Sequence, residues 1–389
     1  MTASARRTLL IVSICVAWAL TSATPILKYL TPAKAVAAIV LGLLSIILGM
    51  YCLDRLIRRH RQISISWFVL LFLLLTAAFA VLYPLSLKHT LNNGSDREDA
   101  LRIELNAVHH HQYPYDARTF LGNPPTPLPG AMLLAAPFFA LGHIAWQNFF
   151  WLALFFFFTL HFFRYRTTAL FFLATFLAFS PGNLSDFTSG GDYLTNFFYL
   201  AIAVSLFTQS LDRSYSLCIP AALFLGVTLS SRIIYAIILI PLLAWMLQRT
   251  SRLRTVILFS AILSAAVAVT IPIFPPHPFT HLLQQLEQNS VKLRYIPGEL
   301  HPQWTLPLLA TLVSCIAFRV RMDLPRLFLI FSISSFIMLV PFVATFALTS
   351  QILWYAFFYL STSTLPFSLW ALSRYEQLSP ATPNAANSI

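Results

Sequence analysis

Acidic side chains are rare in this chain of 389 residues, and the place where they gather is the first clue to its chemistry. The stretch "NNGSDREDALRIELNAVHHHQYPYDARTFLGNPPTPLPG", residues 92–130, holds Asp96, Glu98, Asp99, Glu104 and Asp116, a large share of the 13 acids. From Asp96 to about His111 there is no Pro or Gly, and Leu101, Leu105 and Val108 recur at helical spacing. That pattern predicts an amphipathic helix at a membrane surface, with Ser95 as its cap and Glu98 at the capping-box position. Asp96 and Asp99 then share one face. Acids in a first turn complement the helix dipole. A carboxylate that is partly desolvated beside a membrane passage can also act as a general base, which makes Asp99, Asp96 and Glu98 the catalytic candidates. Three adjacent histidines, His109 to His111, point in different directions on a helix, so they read as a solvated or headgroup-facing tract rather than a chelate.

Two further polar segments carry groups suited to phosphate or metal. In "SPGNLSDFTSGGDY", Asp186 and Asp192 flank a Ser/Gly-rich turn. Two such carboxylates can share Mg2+ or Mn2+, which prefer oxygen ligands; alternatively, Asp192 caps the helix that begins at Tyr193. In "TLSSRIIYAII", Arg232 sits alone in a short turn between apolar runs, where a guanidinium can grip a phosphate bidentately or snorkel as an interfacial anchor. The segment "PPHPFTHLLQQLEQNSVKLRYIPGELHPQW" adds Lys292 and Arg294 beside Tyr295, cations that fit a phosphate headgroup or anionic lipids in general.

The elements that must position these groups are membrane helices. The chain is 58% hydrophobic and 10% charged, against about 25% charged in soluble domains. Twelve apolar runs stand out, at about 8–25, 35–53, 64–87, 131–163, 167–180, 193–210, 216–230, 233–248, 255–274, 304–319, 326–347 and 352–372. A passage takes about 20 apolar residues, and backbone in hydrocarbon must satisfy its own hydrogen bonds. The expectation is therefore all-α: a polytopic transmembrane bundle of about 12 helices, one integral-membrane domain over 1–375, with outer loops at 88–130, 181–192 and 275–303 and a disordered tail at 376–389. The run 131–163 is long for one passage, so "LPGAMLLAAPFFALG" is expected to be interfacial or steeply tilted. The first run is an anchor rather than a cleaved signal.

The net charge of +12 comes from scattered basic residues. No basic block lies on a long polar segment, which argues against nucleic acid. With Arg6 and Arg7 inside, most of the arginines fall on the same side, among them Arg55, Arg58, Arg164, Arg166, Arg213, Arg249, Arg252, Arg254, Arg319, Arg321, Arg326 and Arg374. The positive-inside rule then places the N-terminus in the cytoplasm of a plasma (inner) membrane and the acidic loops outside. Cys15, Cys52, Cys218 and Cys315 lie in or beside apolar runs without metal or redox spacing. Asp, Glu, Lys and Arg are absent from the centres of the runs, unlike those of ion-coupled transporters.

The order "SDREDAL", "YPYDARTFLGNPPTPLPG", "LLAAPFFALG" resembles the polytopic glycosyltransferases that use lipid-phosphate sugars, the C-type fold, most clearly over 92–142. The resemblance implies a sugar moved from a polyprenyl-phosphate donor to an acceptor hydroxyl on a glycan, lipid or protein. Asp99 or Asp96 would be the base, Arg232, Lys292 and Arg294 would meet the lipid phosphate, and Tyr115 and Asn123 of the aromatic-proline segment would meet substrate. Two more apolar runs precede the acidic loop here than in many relatives, and His111 or Gln112 stands where a Gly is common before the "PY" element. From another class, a flippase or transporter of a lipid-linked substrate, or a noncatalytic membrane assembly subunit, would show the same loops.

Overall fold

The computed structural model describes residues 2–88, 96–273, 293, 296–349 and 356–378. These residues form fifteen α-helices with short 3-10 turns, one π-helical stretch at Ala174–Ala178, and no strand. Six helical segments are long and apolar enough to cross a membrane: α1 (Ala3–Tyr29), α2 (Pro32–Arg58), α3 (Ser66–Ser86), Ile144–Phe162, which contains α6 (Gln147–Phe162), Arg252–Ile273, which contains α12 (Arg252–Thr270), and α14 (Leu324–Thr349). A seventh arises if Arg166–Ala178 and α8 (Pro181–Thr188), bent by 72° at their junction, count as one span. The protein is thus a multi-pass helical membrane protein. Twelve uniform spans are not what the described residues contain, because several apolar runs resolve into helices of 10–17 residues.

The long run 131–163 shows how this happens. α5 (Pro129–Ala140) ends before Gly142, whose φ of +80° breaks the helix, and α6 begins after a 3-10 turn. Twelve residues of helix are ~18 Å long, short of the ~30 Å hydrocarbon core. The stretch expected to be interfacial is therefore a separate helix ahead of a single longer one.

At the centre runs α9 (Tyr193–Ser210), buried along most of its length, with Leu206 and Gln209 exposed towards its C-terminal end, as expected of a helix largely enclosed by others. Phe155 of α6 stacks on Phe198 at 4.3 Å and meets Phe197 edge-on at 6.0 Å. Small residues let backbones touch: a Cβ on Gly182 would lie 1.9 Å from the Thr21 carbonyl oxygen of α1, and one on Gly226 of α10 (Tyr215–Leu229) 2.2 Å from that of Ile262. Such close approach substitutes for the hydrophobic drive that is missing between helices in lipid.

The chain passes to and fro between two chemically distinct ends. At one, the basic end, Arg7 meets Asp54 and the Leu378 carbonyl, Glu376 accepts the backbone N–H groups of Arg164 and Tyr165, Arg254 donates to the Arg213 carbonyl, and Arg374 pairs with Asp323. At the other, the acidic end, α4 (Arg97–His109) packs with α5 and with the turn Pro114–Asp116, and the loops at 119–130, 186–192 and 230–232 converge.

Candidate functional site

α4 forms where its apolar spacing requires, with Leu101 and Leu105 buried against Tyr115, Met132 and Ile144. Asp96 precedes it without a side-chain capping bond, and Ser95 lies outside the described residues. Asp96 and Asp99 do share a face, and that face holds the loop that follows. Asp96 Oδ2 accepts from the Thr119 hydroxyl and from the Asn123 amide, each at 2.8 Å, while Asp99 Oδ2 accepts the Phe120 N–H at 3.0 Å. Asp99 Oδ1 has a 3.5 Å contact with Arg102. Gly122, at φ +78°, makes the tight turn between Thr119 and Asn123. Asn123, expected to meet substrate, is exposed and spends its amide on Asp96. Glu98 turns the opposite way from its predicted capping position: its Oε1 accepts the Tyr83 hydroxyl at 2.9 Å, and the carboxylate lies against Gly190. His109, His110 and His111 are exposed.

The second polar loop meets two arginines. Asp186 of α8 is ion-paired with Arg97, the first residue of α4, and its Oδ2 accepts the Leu194 N–H at 2.8 Å. Asp192 receives Arg232 Nη2 on both carboxylate oxygens, each at 2.7 Å, a charge-assisted contact. Arg232 also donates to Thr126 Oγ1 at 3.1 Å. Asp192 makes no capping bond to α9, so that role passes to Asp186 through Leu194. Both carboxylates are 2% exposed, so neither faces water. Because each is taken by a guanidinium, and no group of three His, Cys, Asp or Glu among the described residues could hold a metal ion, this donor set does not fit Mg2+ or Mn2+.

Tyr193 ties the two ion pairs together. The Arg97 guanidinium lies 6.0 Å and that of Arg232 5.9 Å from its ring centroid, and Arg97 also lies 3.8 Å over Phe358. Two guanidiniums at one aromatic ring, each paired with a buried carboxylate, form a compact charge cluster. Burial disfavours charge on Arg232, but Asp192 together with Tyr199, Tyr235 and Tyr193 more than offsets this, so its pKa is raised. Tyr115 is 3% exposed and its hydroxyl donates to the Pro127 carbonyl at 3.1 Å, so it supports the aromatic-proline loop from beneath. Lys292 and Arg294 lie outside the described residues.

Three functional groups at this centre escape sequence reasoning. Arg97 and Tyr193 are identified only by their partners in other loops. Glu104 is fully buried, and neither of its oxygens has a hydrogen-bond partner. Its one sequence signal is position: with Leu101, Leu105 and Val108 it completes the i, i+3, i+4, i+7 stripe, so the burial of the apolar face carries it inward.

Fold and site together define a multi-pass helical membrane protein with a buried charge cluster at one end. No protein-family model, curated protein or solved structure matches the chain.

Proposed function

We propose that this protein is a membrane glycosyltransferase of the lipid-phosphate-sugar type with a C-type fold, transferring a sugar from a polyprenyl-phosphate donor to an acceptor hydroxyl outside the cytoplasm. One observation carries the reading: the acids of α4 and Arg232, far apart in sequence, are linked at one end of the bundle through the Arg97–Asp186 and Arg232–Asp192 pairs. That end combines the two things the reaction requires, carboxylates for a proton and guanidiniums for a phosphate. The gathering of arginines at the opposite end supports an N-terminus in the cytoplasm of the plasma membrane, by the positive-inside rule.

In this mechanism the donor's phosphate lies at Arg232 and Arg97, with Lys292 and Arg294 as further contacts, and its tail lies among lipid-facing helices. Asp99 or Asp96 removes the acceptor's hydroxyl proton as that oxygen forms the new bond to the anomeric carbon. The bond from this carbon to the phosphate oxygen breaks, and the electron pair leaves on the polyprenyl phosphate. The guanidiniums stabilise the negative charge that the phosphate gains. A single displacement inverts the anomeric centre. Asp99, whose Oδ1 has only the long Arg102 contact, is freer to take a proton than Asp96, which anchors Thr119 and Asn123 together.

The test is sugar transfer by the purified protein in liposomes, offered a panel of radiolabelled polyprenyl-phosphate sugars and acceptors. Asp99→Asn or Asp96→Asn should lose about 10²- to 10⁴-fold in rate while donor binding is retained. Wild-type rates in both variants would overturn the assignment of the base. Movement of labelled lipid across the bilayer without a new glycosidic bond would transfer the site to a flippase, and inertness toward every donor would favour an assembly subunit.

A further inference from the structure

The acidic end holds four buried carboxylates, Glu98, Glu104, Asp186 and Asp192; Glu98 accepts the Tyr83 hydroxyl, and the guanidiniums of Arg97 and Arg232 pair with the two aspartates. Each aspartate is paired and Glu104 is not. Both Glu104 oxygens are shielded from water and accept no hydrogen bond. An ionised carboxylate in that position would carry a desolvation penalty with no donor to offset it. As a neutral acid it adds no charge to the two ion pairs. Once ionised, it adds one uncompensated negative charge. On the cationic side, Arg232 Nε is also buried without a partner, so the guanidinium retains a donor that the protein does not use.

We propose that this cluster is a proton-linked receptor for a phosphodiester monoanion, which it accepts at Arg232 and Arg97 while Glu104 is a neutral acid and rejects once Glu104 ionises. The inference rests on the phosphate-binding part of the proposed function and is independent of sugar transfer.

The groups that face Glu104 support this. On its own helix the residues three and four away are Ala100, Leu101, Ala107 and Val108, all apolar. Arg232 and Asp192 reach it electrostatically from their loops, and Tyr115 does so from the Pro114–Asp116 turn, with its hydroxyl committed to Pro127. Neither α5 nor the Ile144–Trp146 turn, which both pack on α4, contains a titratable residue. Burial pushes the Glu104 carboxyl well above the ordinary range, Arg232 opposes this, and Asp192 reinforces it. Glu104 therefore stays neutral through the usual carboxylate range and ionises only at higher pH, so anion affinity is full at low pH and falls as pH rises.

The experiment measures binding of dibutyl phosphate, a diester of constant single charge, to the full-length protein in phosphatidylcholine nanodiscs from mildly acidic to alkaline pH. Wild-type affinity should fall about tenfold or more across the transition, as expected for one added charge at close range. Glu104→Gln, neutral at every pH, should bind equally well throughout. Infrared spectra of the wild type should show a protonated carboxyl band that the Gln variant lacks. A pH-independent wild type, an unchanged slope in Glu104→Gln, no binding at any pH, or absence of the carboxyl band would each overturn the proposal. A wild type that shows the pH-linked binding but transfers no sugar would preserve it and remove the enzyme reading.

Discussion

The two ends of the bundle use the same residue types to opposite effect. At the basic end, Asp54 and Asp323 keep 18% and 39% of their side-chain surface exposed, and Asp212 keeps 66%. Arg7, the partner of Asp54, also reaches the Leu378 carbonyl. These are surface fastenings, each worth about 0–1 kcal/mol. At the acidic end, the side chains of Asp186 and Asp192 are 0% and 2% exposed. Burying such pairs gains little stability over apolar residues of the same shape, yet removing one partner is costly. A fold that needed only closure would have repeated the exposed pairs. At the basic end the buried acid Glu376 accepts backbone N–H groups instead, so among the described residues it is at the acidic end that the carboxylates of ion pairs are held out of water.

The contrast can be broken most forcefully at Arg232. Arg232→Leu strands Asp192, and the protein should lose about 3–5 kcal/mol of stability together with anion binding. The double variant Arg232→Leu/Asp192→Leu should recover most of the melting temperature and none of the binding. Recovery of both would reduce the pair to scaffolding. Next in size is Gly182→Ala, whose new Cβ would press on the Thr21 carbonyl oxygen at 1.9 Å. Overpacking of this kind costs about 1–3 kcal/mol, and thermal unfolding in detergent should show it as a lowered midpoint.

Glu104 gives an effect with a pH signature. Its folded-state pKa is raised, so the folded form holds its proton more tightly than the unfolded chain. The resulting stability is complete below the unfolded Glu pKa of about 4.3 and is lost as pH rises toward the folded value. Relative to wild type, Glu104→Gln should therefore gain stability as pH rises through that window, a trend that melting curves at several pH values would reveal. Smallest of all should be Asp323→Asn at the basic end. About 1 kcal/mol or less is expected there, with sugar transfer unchanged; a large loss of transfer would erase the distinction between the ends.

Legibility in the sequence follows the range of the interactions. α4 could be read because its period is local: Leu101, Leu105 and Val108 repeat within one helix. Arg232 could be singled out because a lone cation between apolar runs is unusual. Arg97 lay within the same acidic motif and was passed over, because its meaning comes from Asp186 and Phe358 in distant loops. Glu104 stands in the sequence only as one of five acids in the motif, and it is the packing of its stripe against Tyr115 and Met132 that takes it into the interior. Counting apolar runs gives twelve passages because hydropathy does not fix helix length: the runs at 216–230, 233–248 and 304–319 form helices of 10–17 residues, short for a full crossing. The pairing of Asp186 and Asp192 with arginines was hidden for a related reason: the spacing of the two carboxylates carries no information about Arg97 and Arg232.

The most direct measurement places the donor on the protein. A polyprenyl-phosphate sugar carrying a diazirine on its first isoprene unit would be bound to the full-length protein in nanodiscs, irradiated, and its adducts mapped by mass spectrometry. Labelling of residues 96–130, 186–199 or 230–235, suppressed by unlabelled donor, is the predicted result. Competable labelling confined to the basic end, at 54–62, 164–166 or 319–326, would contradict the account.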